Sequence, residues 1–466
     1  MNTHIVLVSF QRQQTKREAF RAPPLGILQL AAHLQQNGFT ASVLDVGEKD
    51  PTHQERICKA IVKQKATHLG ISFASPLSPV AKRLIKKVRQ FVPQITIIAG
   101  GPQPTLCPTL VLGYGADIIV KGEGEIPLLE VLSAYRRNRP PLAGIDNIGG
   151  LSFMKKGKVI DTGHAKTIYN LDALPFPDRS KIDIRTYTPL PNQYRNLPVL
   201  HLVTSRGCPF GCSFCSCEGI FGRNHRQRSV RNVIKEIRQG ISEYRIREIY
   251  FYDDTLTANK KWIIGLCKTL IDEGLNIPWS CFSRIDTLDN EIIRMMKRAG
   301  CWNIFLGIEA GYQQGLDILG KKTTLRSIWN VVQMLNNIGI ETRASFMLGI
   351  PGETPKEGDM TIRFACSLPI DYAQFNLFTP FPGIPLEKYA KETGEYSDNE
   401  NMYDLWSPCY VPHGYGSKER LAGLQRNAFR RFYMRPTHGV RMASKVRSFN
   451  DIKRYLNGTL YLLRRY

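Results

Sequence analysis

Three cysteines, Cys208, Cys212 and Cys215, fall within the stretch CPFGCSFC, directly after the apolar run VLHLVTSRG. Thiolates brought together on one loop are the ligands that hold iron-sulfur clusters. Three of them can grip three corners of a four-iron cluster and leave the fourth iron open to a small molecule, which is where chemistry can take place. A closed zinc site normally needs four ligands, often as two paired half-sites, and no second pair follows here. Cys217 as a fourth ligand would crowd Cys215 across a Cys-x-Cys step.

A loop of this kind needs a rigid scaffold, and the pattern from residue 196 onward supplies one. VLHLVTSR, EIYFYDDT, IPWSCFSRID, NIFLGIEAG, IETRASFMLGIPGE and DYAQFNLFTPFPG read as strands with helices between them. Six repeats, rather than eight, predict a partial barrel. Polar residues at the carboxyl ends of barrel strands are candidates for a site: Asp253, Asp254, Ser283, Arg284, Glu309 and the loop Gly349 to Glu353. Loop caps and solvated charges are the alternative for each.

The spacing Cys-x-x-x-Cys-x-x-Cys after a strand resembles the signature of the radical S-adenosylmethionine (SAM) enzymes. The resemblance implies a 4Fe-4S cluster on the three cysteines, SAM chelated to the open iron, and a partial (β/α)6 barrel. It places FYDDT at the SAM amino group, FLGIEAG at its ribose or carboxylate, SFMLGIPGET near its adenine, and Phe214 as a shield of the cluster. The superfamily's Gly-Gly-Glu triplet is absent and YDD stands in its place, which leaves the separate roles of Asp253 and Asp254 open.

The first part of the chain alternates strands and helices: HIVLVSF, PPLGILQLAAHLQQNG, TASVLDV, THLGISFAS, SPVAKRLIKKVRQFV, ITIIAGG, ADIIVKGEGE and IPLLEVLSAYRR. Apolar strands separated by such helices predict a parallel, doubly wound α/β sheet. Ligands bind over the carboxyl ends of strands in these sheets; here the ends carry Ser72 to Ser75, Gly100 to Pro102 and Gly122 to Glu125. The stretches PPLGILQLAAHL, GISFASP, IIAGGPQPT and IIVKGEGE resemble the cobalamin-binding domain that precedes the barrel in one class of radical SAM enzymes. A nucleotide-binding domain without cobalamin is the alternative. Ser72, Ser75, Gly100, Gly101, Gly122 and Glu123 would then line the corrin site. The Asp-x-His-x-x-Gly pattern that supplies an axial histidine elsewhere is missing, and Asp50 with His53 has the wrong spacing. The resemblance implies a corrin held without a protein histidine on cobalt.

The domain expectation is thus residues 1–140 cobalamin-binding-like, 141–195 a proline-rich linker, 196–388 the barrel, and 389–466 a basic helical tail. The chain carries a net charge of +23, with eleven Lys or Arg and one Asp from Arg426 onward. Phe449, Ile452, Tyr455, Leu456, Leu460 and Leu463 recur near helical spacing there, so the tail either contacts an anionic membrane surface peripherally or packs its apolar stripe on the barrel. Eleven cysteines, an odd number, argue against a disulfide framework. No stretch approaches the ~20 apolar residues of a bilayer span and the start lacks signal-peptide character, so a cytoplasmic location is expected.

The layout resembles the class that contains anaerobic magnesium-protoporphyrin IX monomethyl ester cyclase and the hopanoid methylases. It implies methyl transfer to an unactivated carbon of a small or lipophilic metabolite, with a one-electron reductant such as flavodoxin or ferredoxin. Oxidative ring closure is the nearest alternative. An RNA-modifying enzyme is a further one, which the charge suggests, but Cys58 and Cys107 are too few for the extra cluster of the methylthiolating members; a nucleic-acid partner is not expected.

Overall fold

The computed structural model describes residues 3–11, 21–138, 144–397 and 399–446, with the single positions 451, 452, 455 and 458. The chain divides into two compact units, 1–187 with 216–222, and 188–215 with 223–466.

The first unit is built on a seven-stranded sheet. Its strands are β1 (His4–Gln11), β2 (Thr40–Gly47), β3 (His68–Ser72), β4 (Thr96–Gly100), β5 (Ile118–Val120), β6 (Leu151–Lys155) and β7 (Lys158–Asp161), in the order β2-β1-β3-β4-β5-β6-β7. Successive residues of a strand point to opposite faces, and both faces are covered. Val6 and Val8 pack with Ile57, Ile61, Leu84 and Ile85 from the helices His53–Lys63 and Ser78–Phe91. Ile5 and Leu7 pack with Ile27, Leu34, Leu128 and Leu132 from Leu25–Gln36 and Glu125–Asn138. Pairing is parallel through β5, as expected, but β6 and β7 run antiparallel, so the sheet is mixed. These two strands lie inside the stretch expected as a linker. They form a hairpin whose turn residues Lys156 and Gly157 both have positive φ, the conformation that matches strand twist in a two-residue hairpin.

The second unit carries six parallel strands: β8 (Val199–Leu202), β9 (Glu248–Phe251), β10 (Trp279–Ser283), β11 (Cys301–Glu309), β12 (Glu341–Leu348) and β13 (Tyr372–Leu377), paired in sequence order. Ile249, Phe251, Cys281, Ile304, Leu306, Ala344 and Phe346 are fully buried. Tyr250, Phe282 and Phe305 alternate with them and meet one another across strands, with ring centroids 5.5 and 5.3 Å apart. They define the inner face of the barrel. The intervening helices start on local caps: Ser229, Asp289 and Thr324 each accept from a backbone N–H of the first turn, which satisfies one of the orphan donors there.

Beyond the barrel, helix Lys418–Tyr433 lays Phe429 and Phe432 on Phe375 of β13. It ends before Pro436, which opens the next helix, Pro436–Ala443, the first turn being where proline is tolerated. That second helix sends Arg441 to Asp371, a wholly buried carboxylate ahead of β13 that also receives Lys445 and the Thr342 N–H. The amphipathic pattern from Phe449 to Leu463 lies, apart from Ile452 and Tyr455, outside the described residues. No helix among the described residues is long and apolar enough to cross a membrane.

Candidate active site

In the barrel unit the cysteine loop follows β8 and is fastened at its centre. Ser213 donates its N–H to Leu319 O at 3.1 Å and its hydroxyl to Ile318 O at 2.7 Å, and its carbonyl accepts from the Leu386 N–H at 2.9 Å. Cys208, Cys212 and Cys215 are all half-buried, and among the described residues no three candidate ligand side chains close on a single point. Burial raises the Cys208 thiol above its usual range, with Thr255 Oγ1 3.9 Å from its sulfur.

Arg284, at the end of β10, donates from Nη1 to Cys212 Sγ at 2.9 Å, lies 3.9 Å from the centroid of the Phe210 ring, and forks onto Asp286 at 2.9 and 2.8 Å. A guanidinium held in this way suits a thiolate, so the donor set fits a cluster bound through sulfur anions. The ring stacked against it is Phe210.

Glu309, at the end of β11, is buried in a left-handed conformation, φ 75°. Left-handed backbone in a non-glycine residue stores strain and clusters at functional sites. Its carboxylate accepts from Ser345 Oγ at 2.6 Å and lies 3.8 Å from Lys321 Nζ. Burial raises its pKa against the opposing pull of Lys321, Ser345 and Arg284. Gly307 makes room for this group: a Cβ there would stand 2.5 Å from Glu309 Oε1 and 3.1 Å from Lys321 Nζ. Arg284 and Glu309 are thereby brought into one neighbourhood with the cysteine loop.

The other expected barrel residues fare differently. Asp253 spends one oxygen on the end of β8, accepting from the Thr204 N–H and hydroxyl at 2.9 Å and Ser205 Oγ at 2.5 Å, while Oδ2 has no partner among the described residues; burial lifts it to about 6. Asp254 acts electrostatically on Cys208 and His225. Ser283 is turned away into a hydroxyl group with Thr257 at 2.6 Å and Thr287 at 3.4 Å, because it alternates with the inward-facing Phe282. Gly349 is a turn residue whose N–H binds Glu353 Oε1 at 2.7 Å. Glu353 also accepts from Tyr415 at 2.5 Å and Tyr312 at 3.1 Å, and it braces the loop. Lys321 and Ser345, which meet Glu309 here, were not among the candidates read from the sequence. Ser345 could have been found as the inward position of a strand already recognised; Lys321, on a loop, carried no signal.

In the first unit, Ser72 and Gly100 are register partners at the carboxyl ends of β3 and β4. Gly101, at φ 90°, is obligatory, since a Cβ would stand 2.8 Å from Ser72 Oγ. Ser75 donates to Gln103 Oε1, and among the described residues the wholly buried Gln103 Nε2 and the Ser78 hydroxyl have no partner. Orphaned buried donors beside a glycine cradle fit a large polar ligand such as a corrin with its amide side chains. Gly122, φ 67°, receives Thr105 Oγ1 on its N–H at 2.9 Å, while Glu123 accepts from the Ile168 N–H at 3.2 Å and is occupied with its own unit. Asp45, at the end of β2, accepts from Tyr187 at 2.7 Å and Gln11 at 2.9 Å, and burial lifts it to about 6.

The chain belongs to the radical SAM enzymes that carry a cobalamin-binding domain: the Radical SAM superfamily matches residues 202–365 and the B12 binding domain residues 18–132. It is 32% identical over 94% of its length, and 93% of the relative's, to an uncharacterized methyltransferase of Pyrococcus horikoshii. Over 89% of its length and 67% of the relative's it is 29% identical to the anaerobic magnesium-protoporphyrin IX monomethyl ester cyclase of Cereibacter sphaeroides. The solved structure of the radical SAM methyltransferase TsrM from Kitasatospora setae, with cobalamin and 4Fe-4S cluster bound, has the same fold: TM-score 0.75, 15% identity, 100% of this chain and 99% of that one covered. The cofactors of the family, a 4Fe-4S cluster, SAM and cobalamin, are therefore those of this enzyme, and its chemistry requires a small-molecule substrate and a one-electron donor.

Proposed function

We propose that the chain is a cobalamin-dependent methyltransferase acting on an unactivated carbon of a small or lipophilic metabolite. The observation that carries this reading is the joint presence of two sites in one chain, a Cys212–Arg284 pair beside the strained Glu309 and a glycine cradle with unpartnered buried donors. When bound, the cluster with SAM supplies a carbon radical and cobalamin a transferable methyl group. The protein's part is positional. Cys208, Cys212 and Cys215 would hold the cluster, Arg284 would neutralise charge on its sulfur, and Glu309 with Lys321 and Ser345 would orient polar groups of SAM. Ser72, Ser75, Gly101, Gln103 and Gly122 would hold the corrin. Flavodoxin or ferredoxin fits the donor's role, the compartment is cytoplasmic, and the basic tail would contact a membrane surface peripherally.

The test is anaerobic incubation of the reconstituted enzyme with methyl-deuterated SAM and metabolites extracted from a deletion strain. A product three deuterons heavier at the new methyl, with 5'-deoxyadenosine formed, supports the proposal. The relation to the cyclase of Cereibacter sphaeroides favours one second reading, oxidative ring closure. An unlabelled product that has lost two hydrogens and gained a ring would establish it instead.

A further inference from the structure

We propose that the barrel holds an oxyanion subsite centred on Arg343, which anchors a carboxylate or phosphate group of the substrate; this deepens the function proposed above and rests on the barrel being the substrate's chamber. Arg343 is an inward residue of β12, only 2% exposed. Its Nε donates to Asn303 Oδ1 at 2.6 Å and Nη2 to Tyr250 OH at 2.9 Å, and its guanidinium lies 5.4 and 5.1 Å from the ring centroids of Tyr250 and Phe305. Among the described residues no carboxylate pairs with it. Three other buried cations of the unit have a carboxylate beside them: Arg228 has Glu236, Lys321 has Glu309 and Arg284 has Asp286. A guanidinium withdrawn from water without a counter-ion is costly, and the cost is relieved when an anion arrives.

The neighbours of Arg343 offer further donors. Ser280 Oγ and Asn303 Nδ2 belong to residues with no exposure, and neither atom has a partner among the described residues. Ser280 is the register partner of Tyr250 on one side and of Asn303 on the other, so three adjacent inward positions stand level with one another. A guanidinium and an amide nitrogen can only donate, and a hydroxyl can donate. Such a set recognises an oxyanion.

The space next to it says what carries that oxyanion. Tyr252 keeps 36% of its surface exposed although its ring packs on Tyr250 at 4.7 Å, His201 at 5.3 Å and Phe282 at 5.6 Å. Burial nevertheless raises its phenol well above the usual range. A side chain that is enclosed by protein yet reachable by a small molecule is the wall of a chamber. Phe282 and Phe305, register partners at the next level, are half-buried and continue that wall. The ligand is therefore an acid with a flat or apolar body, its body on the aromatic wall and its oxyanion on Arg343. Ser345, which binds Glu309, lies two residues further along β12, a rise of about 7 Å, so the anchor sits one layer deeper than the Glu309 group.

The test is binding without turnover, by calorimetry on the anaerobically reconstituted full chain with naphthalene-2-carboxylate, 2-naphthyl phosphate and naphthalene-2-carboxamide as probes. The better oxyanion should bind about tenfold more tightly than the neutral amide, and the comparison of the two acids tells carboxylate from phosphate. Arg343→Met should reduce that preference to less than about twofold, Arg343→Lys should keep part of it, and Ser280→Ala should trim it several-fold. Equal affinities in the parent enzyme, no binding of any probe, or a preference that survives Arg343→Met would overturn the proposal. Where Arg343→Met fails to fold, an unchanged preference in Ser280→Ala does so. Because no methyl group moves in this assay, an acid preference in an enzyme that proves to be a cyclase leaves the subsite standing and removes only the methyltransferase reading.

Discussion

Replacing Arg284 by methionine should lower the reduction potential of the cluster. The Arg284 side chain is only 8% exposed and its Nη1 is 2.9 Å from Cys212 Sγ, so the charge acts where water screens little. A hydrogen bond to a charged group is worth about 1.5–3 kcal/mol. Asp286, forked onto the same guanidinium, takes up part of the charge, which places the effect at about 1.5–2 kcal/mol by the same measure. Reduction adds a negative charge to the cluster, so the reduced form loses most from the substitution. For one electron a tenfold change in equilibrium is 59 mV, and the midpoint should fall by ~60–90 mV. Arg284→Lys keeps the charge but not the fork or the stacking on Phe210 and should fall in between. The assay is a redox titration followed by electron paramagnetic resonance on the reconstituted full chain, with iron counted in each variant. A shift below ~20 mV, or an upward one, at full iron loading would refute the reasoning.

Cys212→Ala should lose most of its iron after anaerobic reconstitution, and full loading as measured by iron content would exclude the loop as the cluster's holder. Gly307→Ala drives a Cβ against Glu309 and Lys321 and should weaken binding of a SAM analogue about tenfold, read by equilibrium dialysis. Gly101→Val, at φ 90° and against Ser72 Oγ, should cost about 1–3 kcal/mol in urea unfolding and release cobalamin on gel filtration. Burial, against the donors from Tyr415, Gly349 and Tyr312, lifts Glu353 to about 7 from 4.5. The folded chain then holds a proton the unfolded chain has released, so this contribution is full below pH 4.5 and is lost as pH rises through about 7. Glu353→Gln should flatten the stability profile between pH 5 and 8 by on the order of 2–3 kcal/mol, measured from urea midpoints.

Much of this architecture could be read from periodicity. All six barrel strands and the five parallel strands of the first sheet are legible between helical patterns, most of them as apolar runs because both faces are buried, although β12, ETRASFML, buries polar side chains on its inner face. The hairpin of β6 and β7 did not, since LSFMKKGKVID is exposed on much of its outer surface and flanked by glycine and proline. The cysteine loop was legible because its chemistry demands a fixed spacing. Arg284 and Glu309 stand at strand ends as read from the sequence and lie in one neighbourhood with the cysteine loop, whereas Ser283 and Gly349 satisfy the same rule and are hydrogen-bonded to Thr257 and to Glu353. Position at a strand end is one-dimensional, and the direction of a side chain depends on alternation and bulges, such as the register shift between Gly307 and Glu309.

Asp371 has a consequence for the order in which the chain can mature. It lies ahead of the last barrel strand, and its cations sit 70 and 74 residues downstream. A nascent chain released as far as β13 holds that anion with the Thr342 N–H but without either cation, and both are in place only after the ribosome has delivered Lys445. Trimming the gene before that codon would thus harm a strand that the deletion never touches.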